Sequence, residues 1–180
     1  MPNTYTLISS NTLTTTTASI TFSSIPGTYT DLLITASTRN NNTGAGGQDN
    51  SIAMWINGVI TGTSYSATAL LSAFNSPTSS RQTSVASWAY MGSEDTATNT
   101  ATTFASNEYY IPSYTAAQHK PVSVSARSED NSSGSASIYY SGAYAGLFRD
   151  TAAITSITLS GQNGDFVSGS SFYLYGIKNS

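Results

Sequence analysis

The sequence predicts an all-β protein, an antiparallel jelly-roll-like β-sandwich of about eight to ten strands, on three observations. Apolar residues recur with a period of two, and no stretch carries a helical stripe. Turn residues separate these stretches at short intervals. Serine and threonine are the two commonest residue types. Threonine suits a strand because its branched Cβ packs on a pleated surface while its hydroxyl stays wet.

The strands follow in order. TYTLISS sets Tyr5 and Leu7 on one face and Thr4 and Thr6 on the other. ASITFSSI points Ala18, Ile20 and Phe22 inward, and Thr14–Thr17 before it is either a connection or the start of that strand. Pro26-Gly27 marks a turn. TDLLITASTR is the strongest core strand, apolar on both faces as in a partly covered sheet. The glycines and asparagines of NNNTGAGGQDN tolerate positive φ and make a loop. SIAMWING puts Ile52, Met54 and Ile56 opposite Trp55, and Asn57-Gly58 is a hairpin signal. Further strands are expected at TSYSATAL, TSVASWAYMG, NEYYIPSY, KPVSVSARS and SASIYYSGAY. ITSITLS and SSFYLYGI, joined through GQNGDF, close the chain. Residues 72–80 and 92–107 are too polar for strands and are expected as surface loops. In the last strand Phe172 and Leu174 oppose Tyr173 and Tyr175. Such two-sided aromatic character belongs to an interior strand or to one covered by a neighbouring subunit. With neither linker nor internal repeat, residues 1–180 read as a single domain.

Composition narrows the function. The 180 residues contain no cysteine, so disulfides and thiolate metal or redox sites are excluded. Only 8% are charged and the net charge is −3, which argues against nucleic acid, since phosphates need a basic face. Apolar runs are far shorter than the ~20 residues of a spanning helix, so no membrane insertion is expected. MPNTYTLISS has no basic start with an apolar core, so no secretory signal is expected.

Catalytic chemistry finds little to stand on. His119, the one histidine, removes most triads and any multi-histidine metal site, and it reads as a strand-end surface residue. Glu94-Asp95 and Glu129-Asp130 read as solvated loop acids, beside a weaker reading as calcium ligands or as the two carboxylates of a glycosidase. Asp31 and Asp150 read as turn-formers. Arg39, Arg81, Arg127 and Arg149 are too few for a patch and are expected to pair with loop acids. No catalytic, metal or cofactor residue is assigned. Aromatic residues are the informative set. Trp55, Tyr109, Tyr110 and Tyr114 are the candidate receptor or glycan contacts, since rings stack on sugar CH faces and tyrosine adds a hydroxyl. The competing reading places these rings in the core or a trimer interface.

TLISS, ASITFSSIPGTYTDLLI and AGLFRDTAAITSITLSGQNGDFVSGSSFYLYGI together resemble a family of tailed-bacteriophage structural proteins, found in tail-fibre, head-fibre and related virion proteins. The likeness covers the two ends of the chain, with KPVSVSA as weaker support, and residues 40–118 carry none of it. It implies a non-enzymatic, surface-displayed virion protein on a capsid, head fibre or tail fibre, with a homotrimer and other virion proteins as partners. The implied role is a small fibre or tip subunit contacting the host surface or its glycans. Alternatives are a capsid decoration (cement) protein and a carbohydrate-binding module. The pattern opens on a strand at Tyr5 and not on a shaft, which favours a free-standing tip or a decorating subunit.

Overall fold

A computed structural model describes residues 4–43, 51–73, 76–88, 90–129 and 140–178. Among them are eleven strands and no helix. In chain order they are β1 (Tyr5–Thr12), β2 (Ser19–Phe22), β3 (Asp31–Thr38), β4 (Ile52–Ile56), β5 (Tyr65–Ala73), β6 (Ser76–Val85), β7 (Ala105–Ile111), β8 (Lys120–Ser128), β9 (Tyr140–Phe148), β10 (Ile157–Gly161) and β11 (Ser171–Ile177). Eight form one antiparallel sheet in the order β1-β11-β3-β7-β8-β9-β5-β6, and three form a second in the order β2-β10-β4. The division is uneven, so the architecture is an antiparallel sandwich without the two matched sheets of a jelly roll.

Alternation decides what lies between the sheets. The large sheet contributes Leu32, Ile34, Phe172, Leu174, Tyr109, Ile111, Val122, Val124, Tyr65 and Phe148, all buried. Ile20, Phe22, Ile52, Met54, Ile56, Ile157 and Leu159 of the small sheet close the core from the other side. Each such side chain, fully buried, is worth about 1.5–3 kcal/mol. Tyr65 carries its hydroxyl into this core and satisfies it there, donating to Val59 O at 2.9 Å and accepting from Ile56 N–H at 2.9 Å. Glycine makes room where rings approach the sheet: a Cβ on Gly176 would stand 2.3–2.6 Å from ring carbons of Tyr29.

Several expectations need correction. Within 72–80 the described residues are strand and not loop: 72–73 end β5, and Ser76–Val85 pairs with β5 as a ten-residue edge strand. Its hydroxyl-rich sequence hid it, since an edge strand exposed on both faces has no apolar alternation to show. Of TSVASWAYMG only Thr83–Val85 are strand, as the end of β6; Trp88 makes an isolated bridge to Met54, and Ala89 lies outside the described residues. Residues 105–107, expected in a loop, begin β7. β9 runs later than SASIYYSGAY, whose residues 135–139 lie outside the described residues. Asn57-Gly58 does turn tightly, with φ of 53° and 69° and a Val59 N–H to Ile56 O bond of 3.0 Å. It makes no hairpin, however, because β4 pairs with β10 and the chain then crosses to β5 in the other sheet. β10 and β11 likewise lie in opposite sheets. β11 itself is interior, between β1 and β3, as its two-sided pattern required.

Candidate functional site

The outer face of the large sheet gathers the accessible aromatic and apolar side chains. Antiparallel register sets Leu7 of β1 opposite Tyr175 of β11, Tyr175 opposite Leu33 of β3, and Leu33 opposite Tyr110 of β7. Directly opposed side chains on neighbouring strands stand ~5 Å apart, so the four make one continuous row. Leu7 is 51% exposed and Tyr110 37%, and Tyr5 at the head of β1 is 55% exposed. Leu33 and Tyr175 are half-buried beneath their neighbours. Tyr110 is fixed in place: its hydroxyl donates to Asp31 Oδ2 at 2.9 Å, and Asp31 Oδ1 accepts from Ser113 N–H at 2.8 Å. That bond to the carboxylate holds the Tyr110 phenol above its ordinary pKa and keeps it a donor.

A second row lies alongside, Tyr173–Thr35–Glu108–Ser125, and a third runs Ser171–Ser37–Ser106–Arg127. Short Thr35 and Ser37 lie between taller neighbours, which opens a shallow hollow of about 220 Å³ bordered by Tyr173 and Glu108. Its lining is one ring, one exposed carboxylate and several hydroxyls.

The four candidate contacts fall in different places. Tyr110 lies on the row just described. Tyr109 and Tyr114 are fully buried, the former inside β7 and the latter with its hydroxyl bonded to Pro26 O, so neither ring can meet a glycan. Their adjacency to Tyr110 in sequence was misleading, because alternation turns Tyr109 to the opposite face. Trp55 is half-buried on the small sheet, opposite Thr158. Trp88 is wholly buried. The better-placed tyrosines, Tyr173 and Tyr175, were visible in the FYLY alternation of the last strand.

The acids also differ from expectation. Glu94 and Asp95 are buried, not solvated. Glu94 Oε2 accepts from Asn40 Nδ2 at 3.0 Å, and burial pushes its carboxyl up to about 8. Asp95 Oδ1 accepts from the Ser128 hydroxyl. The two carboxyls therefore serve different partners. Asp31 is buried as well, while Asp150 forms a turn by accepting from Ala152 N–H. Glu129 is exposed, and Asp49 and Asp130 lie outside the described residues. Among the described residues no three His, Asp or Glu side chains come together as a metal site. Arg39 was expected to meet an acid, but its guanidinium donates to the carbonyls of Asn99, Thr100 and Thr103 at 2.9–3.1 Å and clasps the loop before β7. Arg149 reaches Ser84 Oγ at 3.4 Å. His119 is exposed, as expected.

No protein-family model, curated protein or solved structure matches this chain.

Proposed function

We propose that this chain is a non-enzymatic structural subunit of a virus particle surface, a small fibre or tip protein that associates with copies of itself as a trimer. The observation that carries the reading is the Leu7–Tyr175–Leu33–Tyr110 row with Tyr5 beside it. It is an apolar and aromatic strip beside rows rich in Ser and Thr that also carry Tyr173, Glu108 and Arg127. Exposed apolar strips rimmed by hydroxyls suit subunit contacts, and tyrosine is favoured at such contacts. Few charges leave little repulsion to overcome on association. The likeness of the two chain ends to phage structural modules supports the same reading. Trimer symmetry would then add weak contacts to the host into a firm one.

The test is the mass of the native protein in solution. An oligomer is expected at micromolar concentration, and the double variant Tyr5→Ser, Leu7→Lys is expected to weaken association at least tenfold, about 1.4 kcal/mol, with the melting temperature of the subunit unchanged. A native monomer would remove the reading. Electron microscopy of particles separates its two forms, with density on a fibre or tail for a tip subunit and density on the shell for a decoration protein.

A saccharide contact is the second reading, favoured by the Tyr173–Glu108 hollow. A pyranose would lie over Thr35 with its CH face on the Tyr173 ring and its hydroxyls on Glu108 and the flanking serines. Tyr173→Ala is expected to abolish any signal on a glycan array, and Trp55→Ala to leave it intact.

A further inference from the structure

We propose that Glu94 is a proton-operated latch: as a neutral acid it holds three loops closed over one end of the sandwich, and loss of its proton frees them while the two sheets stay paired.

Three segments meet at this end. Asn40 N–H donates to Asp95 O at 2.7 Å, Ala97 N–H to Asn42 O at 3.1 Å, Asn41 N–H to Asp165 O at 3.1 Å and Gln162 N–H to Ser51 O at 3.0 Å. Residues 40–43 are thus laced to 92–97 and to 161–166, and 161–166 in turn to Ser51, by backbone bonds outside the main ladders. Glu94, 2% exposed, sits where they converge. Its carboxyl holds Asn40 on one side and lies against the turn on the other: a Cβ on Gly161 would stand 3.2 and 3.3 Å from its two oxygens. Oε1 has no hydrogen-bond partner among the described residues.

Among the described residues, none is placed to balance a negative charge on Glu94. Tyr109 on β7 presents a buried hydroxyl, itself without a hydrogen-bond partner, that feels the charge of Glu94. Tyr144 on β9, one strand beyond Val124, adds its own electrostatic influence on the Tyr109 hydroxyl. Asp95, on the same segment, bonds Ser128 of β8, and the turn contributes half-buried Asp165. Arg39, on the extension of β3 beside Asn40, spends its guanidinium on the carbonyls of residues 99–103. Charge here would therefore be solvated only by opening the loops. The raised carboxyl, displaced to about 8 by burial, agrees with this geometry.

The sign follows from linkage. A carboxyl freed into water titrates in its ordinary range, near 4.5, and the closed form near 8. Closure is thus strongest in acid and loses about tenfold per pH unit across that window, then levels off above it. Amide hydrogen exchange reads this directly. With intrinsic rates corrected, protection of the Asn40, Ala97 and Gln162 amides is expected to fall roughly a thousandfold from pH 5 to 8.5, while the β7–β8 ladder stays protected. In Glu94→Gln, which keeps an acceptor for Asn40, the same amides are expected to hold their protection across the range. An equal slope in both proteins, or an equal loss in β7 and β8, would overturn the proposal. Infrared spectra of the unaltered protein test it without any variant. A protonated-carboxyl C=O band is expected at pH 6.5 and should vanish by pH 9.5, and its absence at pH 6.5 would equally overturn it.

Discussion

Trp88→Ala is expected to lower the unfolding free energy by about 3–5 kcal/mol, the largest effect of any single core truncation in this fold. The indole is wholly buried and does three jobs at once. Its Nε1–H donates to Ser66 O at 2.8 Å on β5. Its ring meets Tyr65 edge-on at 4.8 Å between centroids, and Tyr65 in turn stacks on Phe148 at 4.8 Å. Its backbone exchanges two bonds with Met54, which extends the small sheet past β4. The ring also fits over β9 only because position 146 is glycine: a Cβ there would come within 2.9 Å of the indole and 2.7 Å of Met91. Truncation empties a notch that two rings and a methionine cannot refill, and leaves the Ser66 carbonyl unpaired. Urea unfolding should show a lower midpoint with an unchanged slope, and a thermal midpoint lower by about 10 °C. A loss below about 1 kcal/mol would mean that the indole's packing and its bond to Ser66 O are dispensable.

Lys120→Met is expected to cost about 3 kcal/mol, which is unusual for a lysine. The side chain is completely buried at the start of β8. Its ammonium donates to Ala116 O at 2.7 Å, Gln118 O at 2.5 Å and Thr151 O at 3.3 Å, so it caps the turn after β7 and ties it to the segment after β9. Desolvation lowers its pKa, while Asp150 pulls the other way. Methionine replaces most of the stem but no donor, and the carbonyls of Ala116, Gln118 and Thr151 lose their shared partner. Thermal unfolding measures the loss, and Gln118→Ala, which keeps the carbonyl, should leave stability nearly unchanged.

These two residues also show where sequence reading reached and where it stopped. Alternation alone located β3, β4, β8 and β11, and in β2 it also picked the buried Ile20 and Phe22, because each of these strands buries one face. It missed β6, whose exposed hydroxyls leave no period to detect. Alternation also separated Tyr109 from Tyr110 in principle, yet their clustering was read as a single patch. Trp88 and Lys120 were illegible for a different reason. Trp88 is held by Ser66 and Gly146, and Lys120 in part by Thr151, all distant in sequence, and nothing local announces those meetings. Glu94 is the sharpest case: a charged residue in a polar stretch reads as solvated, and only the closure of loops around it makes it a buried acid. The outer row that carries the proposed contact was half legible, since FYLY announced Tyr173 and Tyr175 while Leu7 and Leu33 joined them only through strand order.

The eight-stranded sheet has two unlike margins. β1 offers Tyr5 and Leu7, whereas β6 offers a run of Ser and Thr interrupted by Pro77 and Arg81. Proline withholds a ladder donor and a cationic side chain discourages an incoming strand, so the β6 border is a poor template for further pairing. The β1 border carries no such block: among its residues there is neither a proline nor a charged side chain, so the two margins differ in their openness to a further strand.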